Sequence, residues 1–246
     1  DMGRDVGKYL GEAYYRTGNY DDAIKVLQGQ EDEESLKFLA LSYYEKGDYL
    51  NALKIFEKIP MDDEMKYYAG ISAYRISDYA KAAEYLEGIE KGKEELADSY
   101  FHLGKYDKVV ELNPKNSLIL GISLFNLGRY DEAYSILKDA SEKSENKGTA
   151  FYYLALTSLQ LDRTEEAREY VEKAKMYGYE GDLSTYEGII SFKLGDYAKA
   201  AKLLSKSKDK DKIKNIFDII EDFLNNNMKW FIVIGAPFGT GKTVFS

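Results

Sequence analysis

The sequence contains no cysteine, one histidine and one tryptophan among its 246 residues. Without cysteine the chain can form no disulfide, no thiolate metal site and no cysteine nucleophile. The one histidine, His102, has no companion histidine with which to hold a metal, so we expect it at a surface or half-buried position. These absences predict a cytoplasmic chain that is not an enzyme and carries no metal or cofactor of its own.

Long apolar runs and basic surface are scarce as well. No stretch of about 18 apolar residues is available for a membrane span, and no early apolar segment is typical of a signal peptide. The net charge of −9 argues against nonspecific nucleic-acid binding, which needs a basic footprint. Acidic stretches at 31–34 and 62–64 either attract a basic partner or lie in solvated loops and first turns of helices.

A short block recurs seven times along the chain, with a turn of Gly or polar residues, a Tyr and then an Ala three residues later. The residues at the Tyr position are Tyr20, Tyr49, Tyr79, Tyr106, Tyr130, Thr164 and Tyr197. Small residues precede each turn at Gly11, Ala40, Gly70, Ala97, Gly121, Ala155 and Gly188, and a mostly large apolar residue follows at Leu27, Phe56, Leu86, Asn113, Leu137, Val171 and Leu204. Each block is typical of a two-helix hairpin that must stack on its neighbours to bury its apolar face.

This pattern over residues 4–207 resembles the tetratricopeptide repeat (TPR) family. The resemblance implies an all-α, right-handed α-α superhelical solenoid of about seven hairpins. The family's Trp is missing from the array, because the one tryptophan is Trp230. The spacings between blocks range from 24 to 34 residues, the shortest being that from Tyr106 to Tyr130. We therefore expect an irregular pitch and, before Pro114, a second helix of about two turns.

In TPR folds the first helices line the concave side, and the resemblance places two rows of apolar residues there. One row is aromatic and consists of Tyr15, Tyr44, Tyr74, Phe101, Phe125 and Phe192, with Leu159 in the remaining repeat. The other lies three residues earlier and is aliphatic at Leu41, Ile71, Ile122, Leu156 and Ile189, with Glu12 and Asp98 as its polar members. Either these rows form a groove for an apolar peptide or helix, or they pack on one another between adjacent repeats. The leading functional prediction is a protein–protein interaction scaffold.

The last forty residues do not follow the repeat. Residues 212–224 have the spacing of an amphipathic helix, which we expect to cap the last repeat within a segment 208–227 that ends in an Asn linker. Residues 228–246 contain a short predicted strand, 230–234, followed by a Gly-rich loop. We expect 230–234 to dock into the groove of its own or a neighbouring chain, or else to pack on the capping helix.

The Gly-rich loop resembles the Walker A sequence of P-loop ATPases through Gly239, Gly241, Lys242 and Thr243. In such a loop the lysine reaches the β- and γ-phosphates and the threonine hydroxyl binds Mg²⁺. The segment lacks the sheet and acidic strand that a P-loop requires. The alternative function is therefore an N-terminal regulatory fragment of an ATPase, with ATP and Mg²⁺ bound only in a longer parent protein, and a coincidental Gly-rich tail is also possible.

Overall fold

The computed structural model describes residues 2–205, with side chains from residue 6 onward, and this part of the chain is helical without any strand. Fourteen α-helices form seven hairpins, which we number as repeats 1 to 7. The first helices are α1 (Met2–Arg16), α3 (Glu33–Glu45), α5 (Asp63–Arg75), α7 (Lys93–His102), α9 (Ser117–Asn126), α11 (Lys147–Gln160) and α13 (Ser184–Lys193). The second helices are α2 (Tyr20–Leu27), α4 (Tyr49–Phe56), α6 (Tyr79–Leu86), α8 (Tyr106–Leu112), α10 (Tyr130–Lys143), α12 (Thr164–Met176) and α14 (Tyr197–Leu204).

This arrangement confirms the predicted all-α solenoid of helical hairpins. All seven second helices begin at the Tyr or Thr that aligns the repeats in the sequence. The helix α8 is two turns long, as expected, and ends at Asn113 with a left-handed φ of 48° directly before Pro114. The predicted capping helix and the P-loop segment lie outside the described residues.

The chain divides into two compact units, one up to Glu145 with repeats 1 to 5 and one from Asn146 with repeats 6 and 7. In the first unit each second helix packs on the first helix of its own repeat, and α2, α4, α6 and α8 also pack on the first helix of the next repeat. The first helices also contact one another in the order α1, α3, α5, α7 and α9. Because consecutive second helices share no comparable contact, the first helices lie on the inner side of this unit.

Each hairpin turns through one residue with a left-handed backbone. The φ values are 79° at Gly18, 77° at Gly47, 63° at Ser77, 69° at Gly104, 74° at Gly128, 57° at Asp162 and 83° at Gly195. In repeat 1 the Gly18 N–H donates to the Tyr15 carbonyl and the Asn19 N–H to the Tyr14 carbonyl, and the other six turns repeat this pair of bonds. These bonds satisfy carbonyls that the end of the first helix would otherwise leave unpaired. The chain direction therefore reverses in the same way in every repeat.

The two helices of a hairpin approach closely because a small residue on the first faces a large residue on the second. A Cβ atom added at Gly70 would lie 2.5 Å from the Leu86 side chain, and one at Gly121 or Gly188 would lie 2.7 Å from Leu137 or Leu204. Such distances leave no room for a methyl group, so the large side chain takes the space that the glycine leaves open. In these three repeats the small and large residues that the sequence aligns are thus in direct contact.

Five of the first helices each contain a buried hydroxyl at an equivalent position. Each donates a hydrogen bond of 2.6 to 2.8 Å to the backbone carbonyl four residues earlier, and the row consists of Ser42, Ser72, Ser99, Ser123 and Thr157. All five residues have no exposed surface. A hydroxyl that bonds within its own helix needs no partner from the adjacent hairpin, so these positions stay small without leaving a polar atom unsatisfied.

Replacing Ser77 with Gly should stabilise the protein. Ser77 is exposed and has a φ of 63°, a conformation that costs a residue with a Cβ about 1–2 kcal/mol and costs glycine little. We expect Ser77→Gly to raise the free energy of unfolding by about 1 kcal/mol, measured by urea denaturation. The reverse change at the equivalent turn, Gly47→Ser, should lower it by a similar amount. An unchanged or lower stability in Ser77→Gly would contradict the strained turn.

Candidate binding surface

The aliphatic row lies deeper than an open groove requires. Leu41 and Ile71 are each 4% exposed, and Ile122 and Leu156 are 5% and 8% exposed. Leu41 shares a core cluster with Ala52, Phe56 and Met65, and Ile71 shares one with Leu86 and Leu96. Ile189, in the second unit, is half-buried. In this arrangement the row mainly holds neighbouring hairpins together, and a direct contact with a partner remains a prediction.

The aromatic row is half-buried and packs within the protein. Each member contacts the tyrosine that begins the second helix of its own repeat, with ring centroids 5.3 to 6.1 Å apart; the pairs are Tyr15–Tyr20, Tyr44–Tyr49, Tyr74–Tyr79, Phe101–Tyr106, Phe125–Tyr130 and Phe192–Tyr197. Two members also reach the next repeat, since Tyr15 lies 5.5 Å from Phe38 and Tyr44 lies 4.9 Å from Tyr68. Packing between repeats, one of the two interpretations of this row, is therefore present, and part of each ring remains accessible.

Burial changes the acidity of this row. It raises the pKa of Tyr15, Tyr44 and Tyr74 from 10 to about 12, and for Tyr74 the hydrogen bond to Asp98 adds to the effect of burial. The three phenols are therefore neutral hydrogen-bonding groups at any ordinary pH. The folded-state pKa of these phenols lies above that of the unfolded chain. Their contribution to the free energy of unfolding is therefore complete below about pH 10 and is lost as the pH rises towards 12.

A ladder of polar pairs, which the sequence analysis missed, joins consecutive repeats of the first unit through residues within or just before their first helices. Lys8 pairs with Glu34, and Lys37 Nζ lies 3.4 Å from a Glu64 carboxylate oxygen. In the next step Lys91 Nζ lies 4.2 Å from the centre of the Tyr67 ring. In the fourth, the Lys115 backbone N–H donates to Glu94 at 3.1 Å.

These pairs occupy equivalent positions while the order of charge changes along the ladder. The acidic member comes from the later repeat at the first two steps and from the earlier repeat at the fourth. Exposed pairs of this kind contribute roughly 0–1 kcal/mol each, so their main effect is on the charge pattern of the inner surface. The only signal in the sequence was opposite charge recurring at intervals of 21 to 27 residues.

A depression of about 690 Å³ lies beside the first steps of this ladder, between α1, α3 and the start of α5. Its apolar floor includes Phe38, Ile59 and Met65. Its charged lining consists of the acidic residues Glu12, Asp32, Glu33, Glu34 and Asp62 and the basic residues Lys8, Arg16 and Lys37. The acidic stretches that the sequence analysis singled out therefore contribute to one concave, predominantly acidic surface. Two of their residues also cap helices, since Asp32 accepts the Ser35 N–H and Asp62 accepts the Met65 N–H.

Repeats 3 and 4 meet through a polar cluster. Asp98, at the aliphatic-row position, accepts a hydrogen bond of 2.8 Å from the Tyr74 hydroxyl. His102 Nε2 lies 3.6 Å from the same carboxylate, and its ring stacks on Tyr79 with centroids 4.1 Å apart. The His102 side chain is 43% exposed, in agreement with the expected half-buried or surface position. The inner face therefore offers a carboxylate and an imidazole between aromatic rings.

The second unit has an aromatic cluster of its own. Tyr152 stacks on Tyr179 with ring centroids 4.3 Å apart, and its hydroxyl lies 3.3 Å from that of Tyr186. Burial and these neighbours raise the pKa of Tyr152 well above its usual range. A cavity of about 610 Å³ lies between α12 and α13, with Val171, Ile190 and Leu194 in its wall and charged residues at its rim. This unit also contains three members of the two rows, Leu156, Ile189 and Phe192.

Residues 2–205 contain neither a metal-binding cluster nor a membrane-spanning helix. No group of His, Cys, Asp or Glu side chains in this range is arranged to hold a metal ion. None of the helices described has both the length and the hydropathy needed to cross a membrane.

Comparisons with known proteins support the repeat assignment. A tetratricopeptide repeat model matches residues 10–32, and a model described as anaphase-promoting complex, cyclosome, subunit 3 matches residues 111–174. The C-terminal part of a TPR repeat-containing protein from Cytophaga hutchinsonii is 15% identical in sequence and superposes with a TM-score of 0.53, covering 84% of this chain and 98% of its own. The chain has the tetratricopeptide-repeat fold.

Other solved structures match less closely in space. MamA from Desulfovibrio magneticus RS-1 is 16% identical and covers 74% of this chain and 98% of its own, with a TM-score of 0.34. MamA AMB-1 is 25% identical and covers 72% and 99%, with a TM-score of 0.31. No curated protein sequence matches significantly. TPR proteins are generally non-enzymatic scaffolds, which agrees with the expectation that this chain is not an enzyme.

The Tyr74–Asp98 hydrogen bond should contribute measurably to stability. A hydrogen bond to a charged acceptor is worth about 1–3 kcal/mol, so Tyr74→Phe should lower the free energy of unfolding by about 1 kcal/mol. Tyr44→Phe is the matched control, because Tyr44 holds the same row position and its hydroxyl has no hydrogen-bond partner among residues 2–205. Urea denaturation of both variants tests this. Equal losses in the two variants would show that the Asp98 contact contributes nothing.

Proposed function

We propose that this chain is a protein–protein interaction scaffold that binds a peptide or helix along the first helices of its first unit. The observation that carries the proposal is the half-exposed aromatic row at Tyr15, Tyr44, Tyr74, Phe101 and Phe125. Aromatic rings already fixed by packing offer a large contact area at low entropic cost, which suits anchoring of a partner. The buried aliphatic residues beneath them, Leu41, Ile71 and Ile122, support the rings and complete the surface if a partner separates the hairpins.

The polar groups on the same face favour a partner with some charge. The 690 Å³ depression at repeats 1 to 3 has five acidic and three basic residues in its lining. Asp98 and His102 add hydrogen-bonding groups further along the inner face. An amphipathic partner would place apolar side chains on the rings and basic side chains over the depression. A cytoplasmic location is part of the same proposal, since the peptide surface and the absence of cysteine both suit that compartment.

The segment 230–234 is one candidate occupant of this surface. Its composition is strongly apolar, and an apolar segment gains free energy when it leaves water. We propose its docking in its own or a neighbouring chain as a surrogate for a natural partner. The segment lies outside the described residues, so the proposal rests on its sequence and on the aromatic surface alone.

Replacing phenylalanines of the aromatic row with leucine should weaken partner binding. Phe101→Leu and Phe125→Leu keep the buried part of each side chain, and repeat 6 already has Leu159 at this position. We expect each to weaken binding of a peptide selected from a random displayed library on the wild-type protein by about tenfold, or about 1.4 kcal/mol. Fluorescence anisotropy with the labelled peptide gives the affinities.

The matched control is Leu50→Ala on the second helix α4, where Leu50 is 51% exposed. This change removes exposed apolar surface away from the first helices and should leave the affinity unaltered. If Leu50→Ala weakens binding while both Phe variants bind normally, the partner occupies the second helices and the proposed surface is wrong. Circular dichroism confirms that each variant is folded.

The alternative proposal is a regulatory fragment of a P-loop ATPase. It is supported by the order of a predicted strand and a Gly-rich loop that ends in Gly241, Lys242 and Thr243. A P-loop that lacks its parallel sheet and acidic strand should not hold a nucleotide. Isothermal titration of the 246-residue chain with ATP and Mg²⁺ should therefore give no binding heat. A saturable heat that Lys242→Ala abolishes would contradict this expectation and favour a working nucleotide site.

A further inference from the structure

Helix α1 exposes apolar side chains at positions that every later repeat of the first unit buries. Leu10 is 41% exposed, whereas its equivalents Leu39, Ala69, Leu96 and Leu120 are 4%, 0%, 3% and 8% exposed. Ala13 is exposed, while its equivalents Ser42, Ser72, Ser99 and Ser123 have no exposed surface. Val6 and Tyr9 extend the same face and are 62% and 64% exposed. We call Val6, Tyr9, Leu10 and Ala13 the leading face.

The internal joints of the first unit show what covers such a face. In the joint between repeats 1 and 2, Phe38 and Leu39 of α3 form one core cluster with Ala23 and Leu27 of α2. In the next joint, Met65 and Ala69 of α5 cluster with Leu53 and Phe56 of α4. At both joints the cover is the preceding hairpin, which contributes residues from one side of its second helix. The leading face therefore matches the trailing side of a hairpin of this kind.

The last described hairpin offers that trailing side uncovered. Ala201 of α14 is exposed, while its equivalents at internal joints are buried at Leu53 and Ala83 and half-buried at Ile24 and Val110. Leu204 is only half-buried, whereas its equivalents Leu27, Phe56 and Leu86 have no exposed surface. Tyr197, at the start of the same helix, is 55% exposed. We call Tyr197, Ala201 and Leu204 the trailing face.

We propose that the leading face of one copy of this chain packs against the trailing face of a second copy, head to tail. The two faces are the separated halves of a joint that the protein forms repeatedly within itself, so a second copy supplies the complementary surface. The contact is heterologous, so each copy can bind one further copy at its leading face and another at its trailing face. A joint between two single hairpins is small beside the roughly 800 Å² per partner of a stable interface, so association is weak and depends on concentration.

Sedimentation velocity of the full chain from about 1 to 300 μM tests the proposal, a range suited to dissociation constants between micromolar and millimolar. We expect the mean mass to rise with concentration above the 28.1 kDa of one chain. Leu10→Glu blocks the leading face and Ala201→Glu blocks the trailing face. Because both side chains are exposed, neither change should alter folding, which circular dichroism checks.

The two variants complement each other in a way that only a head-to-tail contact allows. Each alone should remain monomeric, since each has one blocked face. A 1:1 mixture should form a dimer and extend no further, because the open trailing face of Leu10→Glu meets the open leading face of Ala201→Glu.

Two results would overturn the proposal. If Ala201→Glu associates as strongly as the wild type, the leading faces pair with each other or another surface is responsible. If the wild type is monomeric throughout the range, a second copy does not cover the leading face. That result would favour the other occupant of the trailing face, a helix of the same chain over residues 212–224.

Discussion

The fold depends on a close contact between a glycine on the first helix and a leucine on the second, which repeats 1, 3, 5 and 7 make. Where the small residue is Gly70, Gly121 or Gly188, an added Cβ would lie within 2.7 Å of the opposite leucine. This contact brings the two helices of these hairpins together and places the large side chain in the core, as Leu86 shows with no exposed surface. The fourth repeat has Asn113 instead, and there α8 ends early in a left-handed residue.

The close approach within a hairpin also explains why its inner surface is less open than the sequence suggests. Tightly paired helices leave little space between consecutive hairpins, so residues one turn before the aromatic row enter the joints. Leu41 and Ile71 thereby become core residues, and the wider rings of Tyr44 and Tyr74 cover them. The accessible surface is consequently made of ring edges and of the polar ladder, and a partner would meet aromatic and charged groups before aliphatic ones.

Sequence periodicity predicted the seven hairpins because the Tyr position and the turn are local features of the chain, and all seven second helices begin at the aligned residue. It also placed Ser77 and Asp162 in turns, and both residues adopt the left-handed backbone that glycine has in the other five. Periodicity could not predict how deeply each side chain is buried. It indicates which face of a helix a side chain occupies, but not how much of that side chain the next hairpin covers. Ile71 and Ile189 occupy equivalent positions, yet one is buried and the other half-buried. The pairing of Asp98 with Tyr74 was similarly hidden, since it depends on the distance between two helices of different repeats.

A stack of hairpins in which each repeat contacts only its neighbours has consequences that a closed globular core does not. Each joint can change its chemistry without disturbing the others, which is why an ion pair, a cation–π contact and a backbone hydrogen bond can replace one another along the ladder. The same independence leaves the first and last hairpins each with one face that no neighbour within the described chain covers. A globular domain buries such surfaces by curving back on itself, whereas a linear stack has to cover them with something outside the repeats. The apolar character of Val6, Tyr9 and Leu10 is therefore a property of the architecture, and the inner surface and the two ends offer a partner different chemistry.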